Sequence, residues 1–316
     1  MIDAEQVLAA ARRPLVIGIG GGGDVVGALA TAEACRLSHG ASPVVGGTTW
    51  ERMVIDPLPG PRPLDELEGE LEHLSPCVGI ADGSTHTCEV VFAEARMAGF
   101  LGEPTLIVDP NFGPVIVADG LRHALDVLGG DLLVFIDVGG DMLAHGDEPG
   151  LSSPLCDAVM LAAAGRLQEA GLPVLAGLFG VGCDGELTPD EVMARVAEVA
   201  AAGGLAGVRG LTPAVAERLE AAVEVVPTEA SAAALRCFRG ETGLATIRRG
   251  RRTVQLSPLG ALTFYFDALA CVRSAARLAA AVWDAGDLAE ANDALNALGV
   301  VTELDLEQQR FVTGDR

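Results

Sequence analysis

The chain has 316 residues, half of them hydrophobic, and a formal net charge of −23 at neutral pH. Nucleic-acid binding needs clustered positive charge to neutralise phosphates, so this composition argues against a nucleic-acid partner. All 21 basic residues are arginines, and the absence of lysine excludes both a Schiff-base lysine and the lysine of a P-loop.

Three features of the sequence indicate the cytoplasm. The first residues are polar and acidic, unlike a signal peptide. No apolar stretch reaches the roughly 18 residues of a membrane helix. The seven cysteines are scattered and form no CxxC pair, which indicates reduced thiols and no zinc framework. We therefore expect a cytoplasmic protein without a membrane partner.

Short apolar runs alternate with helical segments along the first part of the chain. The strand candidates are residues 15–19, 43–46, 77–81, 105–108, 132–137 and 173–178. The helical segments between them are residues 25–38, 88–99, 121–128 and 158–170. Such strands are typical of parallel sheets covered on both faces, and the alternation indicates βαβ units. The sequence predicts an α/β fold with an open, mainly parallel, doubly wound (Rossmann-like) sheet.

The character of the sequence changes after residue 222. An antiparallel hairpin is expected at residues 245–247 and 253–256, followed by helices at residues 268–283 and 288–298. The arginine-rich stretch around Gly250 is the expected turn of this hairpin. We expect residues 1–222 to form a Rossmann-like ligand-binding core. Residues 223–316 are expected to form an extension of hairpin and helices packed on the same sheet.

The first strand candidate runs directly into a glycine-rich turn. The anion-binding candidates in this turn are Gly20, Gly21, Gly22 and Gly23. Glycine permits positive φ and lets a ligand approach the backbone, and the next helix offers free N–H groups that favour a phosphate or carboxylate. Asp24 is the expected N-cap of that helix, and its carboxylate could also bind a hydroxyl, an amine or a metal ion.

The same turn has the letters of a dinucleotide-binding GxGxxG motif at Gly18, Gly20 and Gly23. That motif requires an acidic residue about 20 positions further on, at the end of the second strand, to hold the ribose. The nearest acid in this sequence is Glu51, beyond the strand candidate. An NADP-dependent oxidoreductase is therefore an alternative that we rank below a different ligand at this turn.

Polar residues follow four further strand candidates. They are expected to share one crevice, since ligands of open α/β sheets bind at the carboxyl ends of the strands. The ligand-binding candidates in these loops are Asp82, Asp109, Asn111, Ser153, Asp184 and Glu186. His86 lies in the first of these loops and is a candidate acid/base catalyst.

The loop after the fifth strand candidate is the richest in acids. Its candidate catalytic residues are Asp137, Asp141, Asp147 and Glu148. Carboxylate oxygens suit Mg²⁺ or Ca²⁺, and we expect a divalent cation at Asp137 and Asp141. Closely spaced carboxyl groups also raise one another's pKa and so supply a general acid or base. Asp157 belongs to the same acidic set, or alternatively caps the helix that follows Pro154.

Three segments of the sequence are distinctive. They are IGIGGGGDVVGA at the first turn, IDVGGD with the later GDEPGLSSPL run, and TFYFD in the C-terminal part. Together they resemble an uncharacterised bacterial and archaeal family of unknown function, and the resemblance covers most of the chain. The aspartates also have a looser similarity to the nucleoside hydrolases, which hold Ca²⁺ at strand ends. IDVGGD is only a partial match to them, because it follows the fifth strand and lacks an adjacent aspartate pair.

These observations favour an intracellular enzyme that acts on a small phosphorylated or nucleoside-like metabolite. The expected reaction is glycosyl or phosphoryl transfer, or the corresponding hydrolysis. The alternatives are the NADP-dependent oxidoreductase and a non-catalytic metabolite-binding protein. Base rates for soluble proteins favour a homodimer.

Overall fold

The computed structural model describes residues 2–88 and 90–314. Its strands are β1 (Pro14–Gly18), β2 (Val44–Thr48), β3 (Leu71–His73), β4 (Val78–Ala81), β5 (His86–Thr87), β6 (Val90–Val91), β7 (Thr105–Val108), β8 (Leu132–Val138), β9 (Val174–Phe179), β10 (Leu205–Gly210), β11 (Gly243–Ile247), β12 (Arg252–Leu256) and β13 (Leu262–Phe266). Its helices are α1 (Ala4–Ala10), α2 (Asp24–His39), α3 (Ala93–Leu101), α4 (Gly113–Val127), α5 (Pro154–Glu169), α6 (Pro189–Ala201), α7 (Pro213–Val223), α8 (Glu229–Phe238), α9 (Ala268–Arg273), α10 (Arg277–Ala281), α11 (Leu288–Ala297) and α12 (Glu303–Thr313).

A nine-stranded sheet organises the molecule, in the order β10-β13-β9-β8-β1-β2-β7-β4-β3. The five central strands, from β9 to β7, run parallel to one another, whereas β4 and β13 run antiparallel to their neighbours. The pairs β5-β6 and β11-β12 form separate two-stranded sheets. The prediction of an α/β fold with a mainly parallel sheet is confirmed.

Helices cover both faces of this sheet. α2 connects β1 to β2 and packs on one face with α7 and α8, whereas α5 connects β8 to β9 and packs on the other with α4, α9 and α10. Alternate side chains of β1 divide between the layers: Val16 lies with α2, and Leu15 and Ile17 lie with α5. The two crossovers diverge between β1 and β8, which is the topological switch point where ligands of doubly wound sheets bind.

The sequence of α5 explains its position at the centre of one layer. Nearly every residue from Pro154 to Leu167 is buried, because the helix is enclosed by three helices as well as the sheet. A helix that is apolar all round is typical of such complete burial. Asp157 is buried within it despite its charge. Despite this apolar character, no helix in residues 2–88 and 90–314 is both long and apolar enough to span a bilayer.

One expected parallel strand runs in the opposite direction. β4 pairs with β7 antiparallel, and its last residue, Ala81, lies beside Thr105 at the start of β7. A parallel strand needs a long crossover, usually a helix, before it re-enters the sheet. The segment from β2 to β4 contains no α-helix among its described residues and instead forms the β3-β4 hairpin. Residues that follow β4 therefore lie at the opposite end of the strands from the residues that follow β1 and β8.

The C-terminal part contributes to the main sheet as well as to an extension. The predicted hairpin is confirmed as β11-β12, and its Val254 and Leu256 pack in the same hydrophobic layer as α2 and α8. β13 lies inside the main sheet, between β9 and β10. The helix expected at residues 268–283 is interrupted at Ser274, whose φ of −128° and ψ of −89° are not helical. The boundary at residue 222 stays a prediction.

Candidate functional site

Three carboxyl groups converge at the switch point between β1 and β8. Asp24 is the first residue of α2, Asp137 lies near the end of β8, and Asp157 lies in the first turn of α5. One oxygen from each lies within 4.8 Å of the others. We call this set the first triad.

Three more carboxyl groups converge beside it. Asp141 begins a short 3-10 turn just after β8, and Asp184 and Glu186 follow β9. Their oxygens likewise lie within 4.8 Å of one another, and we call this set the second triad. The triads are neighbours, since the carboxyl group of Asp137 interacts with those of Asp141 and Asp184.

The glycines around these carboxyl groups create the room for them. A Cβ atom on Gly20 would lie 2.6 Å from Asp24 Oδ2 and 2.9 Å from Asp157 Oδ2. A Cβ atom on Gly139 would lie 2.3 Å from Asp184 Oδ1, and the φ of this glycine is +134°. All three distances are shorter than real Cβ contacts, so a side chain at either position would displace a carboxylate of the cluster.

Several N–H groups of the glycine-rich turn already have partners. Gly20 N donates to Asp24 Oδ2 at 3.0 Å, and Gly22 N donates to the carbonyl oxygen of Trp50 at 2.8 Å. The prediction that Asp24 is the N-cap of α2 is wrong. Gly23 occupies that position, because the Asp24 carboxylate turns back toward Gly20. A phosphate at Gly20–Gly23 stays a prediction.

Burial dominates the electrostatics of the cluster. It raises the pKa of Asp24 to about 7 and the pKa of Asp184 to about 7. Burial, with the neighbouring carboxylates, also raises the pKa of Asp137, Asp141 and Asp157 well above the ordinary value. A site with these raised pKa values binds protons or a cation, because closely spaced buried carboxylates cannot all be ionised without a compensating positive charge.

Three fully buried oxygens of the cluster lack a hydrogen-bond partner among the described residues. They are Asp137 Oδ1, Asp157 Oδ1 and Asp184 Oδ1, on side chains that are 1%, 1% and 5% exposed. Buried polar atoms are nearly always paired with protein, water or an ion. Carboxylate oxygens are the ligands preferred by Mg²⁺, Mn²⁺ and Ca²⁺, so the donor set fits a hard divalent cation. The expected pair of metal ligands, Asp137 and Asp141, is divided between the triads.

Glu186 differs from the other carboxylates because it is extensively hydrogen-bonded. Ser153 donates from Oγ to Glu186 Oε1 at 2.5 Å and from N to Oε2 at 2.8 Å, and Ser152 N donates to Oε2 at 2.7 Å. Burial alone would raise the pKa of Glu186, but Arg252 and Arg248 hold that pKa below its usual value. The arginines therefore favour the ionised form of Glu186.

A cleft of about 110 Å³ opens beside the triads. Its polar lining includes Arg52, Arg248, Arg310, Ser152, Ser153 and Glu303. Arg52 Nη2 donates to the carbonyl oxygen of Gly20 at 2.9 Å, and Arg248 Nη2 donates to Glu186 Oε1 at 3.4 Å. Burial and the charge of Arg52 lower the pKa of Arg248, and both side chains line the cleft. An anion between them would relieve this repulsion.

Two residues of this region were missed by sequence reasoning. Arg52 carried no motif beyond its place after the second strand. Glu303 accepts the N–H groups of Leu155 at 2.9 Å and Cys156 at 2.8 Å, and thereby caps α5 from the distant α12. Burial raises the pKa of Glu303 to about 7. The interpretation of Asp157 as the cap of α5 is wrong, because Glu303 supplies that function.

Asp82 and His86 lie away from the cluster, so the expectation that they share its crevice is wrong. They follow the antiparallel β4, whose carboxyl end lies at the opposite end of the strands from the carboxyl ends of β1 and β8. Asp82 accepts hydrogen bonds from the N and Oγ of Ser84, both at 2.7 Å. His86 Nε2 lies 3.7 Å from a carboxylate oxygen of Glu68.

Asp147 and Glu148, in the later part of the acidic loop, also lie outside the cluster. Asp147 is exposed. Glu148 accepts N–H groups from His145 and Gly146 and forms an ion pair with Arg195 at 3.1 Å. Burial alone would raise the pKa of Glu148, but these amides and Arg195 hold that pKa below its usual value. Neither acid belongs to a triad.

Asp109 and Asn111 form a separate arrangement at the end of β7. Asp109 Oδ1 accepts the N–H of Asn111 at 2.9 Å, and Asn111 Nδ2 donates to the carbonyl oxygen of Pro61 at 3.0 Å. Burial raises the pKa of Asp109 to about 6. β7 lies two strands from β1, and neither residue belongs to a triad.

Fold and site together define a doubly wound α/β protein with a buried carboxylate cluster at its switch point. The chain belongs to the family described as "Protein of unknown function (DUF1152)", whose model matches residues 15–311. No curated protein and no solved structure matches the chain. The expected membership of an uncharacterised family is confirmed, and the similarity to nucleoside hydrolases stays a prediction.

Proposed function

We propose that the protein is a divalent-cation-dependent enzyme that hydrolyses or transfers the phosphoryl group of a small phosphorylated metabolite. The observation that carries the proposal is a cluster of buried carboxylates beside a cleft lined by arginines, in which Arg248 and Ser153 line the cleft and donate hydrogen bonds to Glu186 of the second triad. A cation site next to an anion site is the arrangement that phosphoryl chemistry requires.

The carboxylates supply the cation half of the site. Asp137, Asp157 and Asp184 each keep an oxygen without a partner among the described residues, at depths where such an oxygen is costly. A bound divalent cation would polarise a phosphoryl oxygen and lower the pKa of a coordinated water. The protein's own contribution is to hold the ligand oxygens in place, which Gly20 and Gly139 permit by their lack of a side chain.

The arginines supply the anion half. Arg52 and Arg248 both line the cleft, and the planar guanidinium fork suits bidentate binding of a phosphate. Ser152 and Ser153 line the same cleft and fix Glu186 in the second triad. This arginine lining favours a phosphoryl substrate over a neutral glycosyl substrate.

The test is phosphate release by the full-length protein, freed of metal and then supplied with Mg²⁺, Mn²⁺ or Ca²⁺. Sugar phosphates and nucleoside monophosphates are the substrates to be compared. We expect cation-dependent release that falls about 100-fold or more in Asp137→Asn, which removes a ligand of the first triad. Asp109→Asn is the matched control, since Asp109 is buried but belongs to neither triad. Full activity of Asp137→Asn would contradict the proposal.

A further inference from the structure

We infer that the cluster takes two divalent cations, one in each triad, and that the first triad binds its cation more tightly than the second. The inference deepens the proposed function and rests on it for the presence of a cation. It defines the site as a binuclear centre with two unequal positions.

The dimensions of each triad fit one ion. Oxygen ligands of Mg²⁺ and Ca²⁺ lie about 2.0–2.6 Å from the ion, so two ligands of the same ion lie at most about 5 Å apart. The ligand oxygens of Asp24, Asp137 and Asp157 lie within 4.8 Å of one another. Those of the second triad meet the same limit. Each triad therefore has the size of a complete three-carboxylate face for one cation.

Each triad also contains an unpartnered oxygen on a side chain that is at least nine-tenths buried. The first has Asp137 Oδ1 and Asp157 Oδ1, and the second has Asp184 Oδ1. Their orientation is convergent. A Cβ atom on Gly20 would be surrounded by Asp24 Oδ2 and both oxygens of Asp157. Asp157 Oδ1 lies 3.3 Å from the position of that Cβ atom. Asp157 Oδ1 is thus aimed into the cluster, and Asp184 Oδ1 lies beside Gly139, in the segment between Asp137 and Asp141.

The triads are close enough to act on one substrate. Asp137 of the first triad interacts with Asp141 and Asp184 of the second, so the two sets are in contact. Two-metal sites hold their ions about 3.5–4 Å apart, and one phosphoryl group can bind both. Of the arginines that line the neighbouring cleft, Arg52 acts on the first triad through its charge and Arg248 donates to Glu186 of the second, so we expect a phosphate bound to both arginines to lie near both positions.

The affinities differ because the arginines neutralise the second triad more strongly than the first. Glu186 of the second triad lies 3.4 Å from Arg248 and 3.8 Å from Arg252. No arginine among the described residues forms an ion pair with the first triad. Arg52 donates to the carbonyl oxygen of Gly20, and its charge acts on Asp24 and Asp157 only from beyond ion-pair distance. More uncompensated negative charge gives tighter cation binding, since affinity follows the ligand charge.

The experiment is a titration of the metal-free, full-length protein with Mn²⁺, in which free Mn²⁺ is measured by electron paramagnetic resonance. We expect two Mn²⁺ per chain, with dissociation constants that differ by about tenfold or more. Asp157→Asn removes a ligand of the tight position, and Asp184→Asn removes a ligand of the weak position. Each variant should lose its own ion, and Asp109→Asn should keep both.

The outcomes separate this inference from the proposed function. One Mn²⁺ per chain, two of equal affinity, or loss of the tight ion in Asp184→Asn overturns the inference. One Mn²⁺ together with cation-dependent phosphate release leaves the proposed function standing alone. Two unequal Mn²⁺ without turnover of any phosphate ester support the inference and contradict the proposed function. The titration of the unmodified protein decides the stoichiometry even where a variant does not fold.

Discussion

Asp157 stands where an aspartate usually caps a helix, but its carboxyl group points into the cluster. Glu303 already accepts the N–H groups of Leu155 and Cys156 at the start of α5. The carboxylate of Asp157 is therefore available to face Asp24, and its Oδ1 has no partner among the described residues. A buried carboxylate of this kind lowers stability, so its presence indicates a role in function.

Asp157→Asn should stabilise the metal-free protein. The amide has the size of the carboxylate but no charge, so the repulsion within the first triad falls. We expect a gain of about 1 kcal/mol in the free energy of unfolding, or roughly 2 °C in Tm for a chain of this length. Thermal unfolding in a chelator measures it, with the exposed Asp147→Asn as a control that leaves Tm unchanged. A lower Tm for Asp157→Asn would contradict the account.

Glu94 gives the protein an unusual dependence of stability on pH. It is 1% exposed, and neither carboxylate oxygen has a hydrogen-bond partner among the described residues. Burial and the neighbouring Glu51 raise the pKa of Glu94 well above its ordinary value of 4.5. The folded protein therefore keeps this proton at pH values where the unfolded chain has lost it. Stability falls as pH rises from about 4.5 toward the folded-state pKa.

Glu94→Gln should remove this dependence, because the neutral amide resembles the protonated acid. The difference in Tm between the variant and the unmodified protein should be small at pH 5 and should grow, in favour of the variant, up to pH 8. Thermal unfolding at several pH values in a chelator measures it. A difference that is constant across this range would show that Glu94 does not titrate as the burial requires.

Arg248 has two partners in the account, the bound phosphate and Glu186. Arg248→Met should weaken inhibition by inorganic phosphate about 10- to 100-fold, because a guanidinium leaves the cleft. The same change should tighten the weaker Mn²⁺, since Glu186 loses a neutralising charge. Arg249→Met is the matched control, because Arg249 lies on the same turn but is exposed. Equal effects of the two substitutions would show that Arg248 has no specific role in the site.

At the scale of elements, α12 and α5 depend on one contact. Glu303→Ala would leave the buried N–H groups of Leu155 and Cys156 without their acceptor. We expect a loss of about 2–4 kcal/mol in the free energy of unfolding, measured by urea denaturation. Glu303→Gln retains one acceptor oxygen and should lose less. If Glu303→Ala unfolds at the same urea concentration as the unmodified protein, Glu303 is not the cap of α5.

The elements that could be predicted from sequence are those with a local signal. The central strands are short apolar runs followed by helices, and that alternation predicts parallel order. β4 has the same apolar pattern, but its direction depends on the connection before it, which forms a hairpin. β13 contains most of the TFYFD segment, and its place between β9 and β10 depends on pairing with distant strands. Local pattern alone does not contain that information.

The sequence also predicted only part of the candidate site, because only some of its residues are placed by a local pattern. Asp137, Asp141 and Asp184 follow strands that are neighbours in the sheet, so the rule of carboxyl ends brought them together. The prediction for His86 was wrong because β4, the strand that precedes it, runs antiparallel to β7. Arg52 carries no local signal of a site, and it contributes only through a long-range contact with the glycine turn.

At the scale of the whole molecule, the strong negative charge makes the cleft exceptional. The chain has 21 arginines against 44 acidic residues, yet Arg52, Arg248 and Arg310 meet at this cleft beside the buried carboxylates. The field of so acidic a protein would repel phosphorylated molecules from most of its surface. Local positive charge at the cleft is therefore what would admit such a substrate, and added salt should change the rate of its binding.

The measurement that tests the central claim most directly is a crystal structure of the protein grown with Mn²⁺ and inorganic phosphate. Anomalous scattering at the manganese edge would locate the ions. The account predicts one Mn²⁺ in each triad, with a phosphate in contact with Arg52 and Arg248. A cluster without manganese, or a phosphate bound away from the arginine-lined cleft, would contradict it.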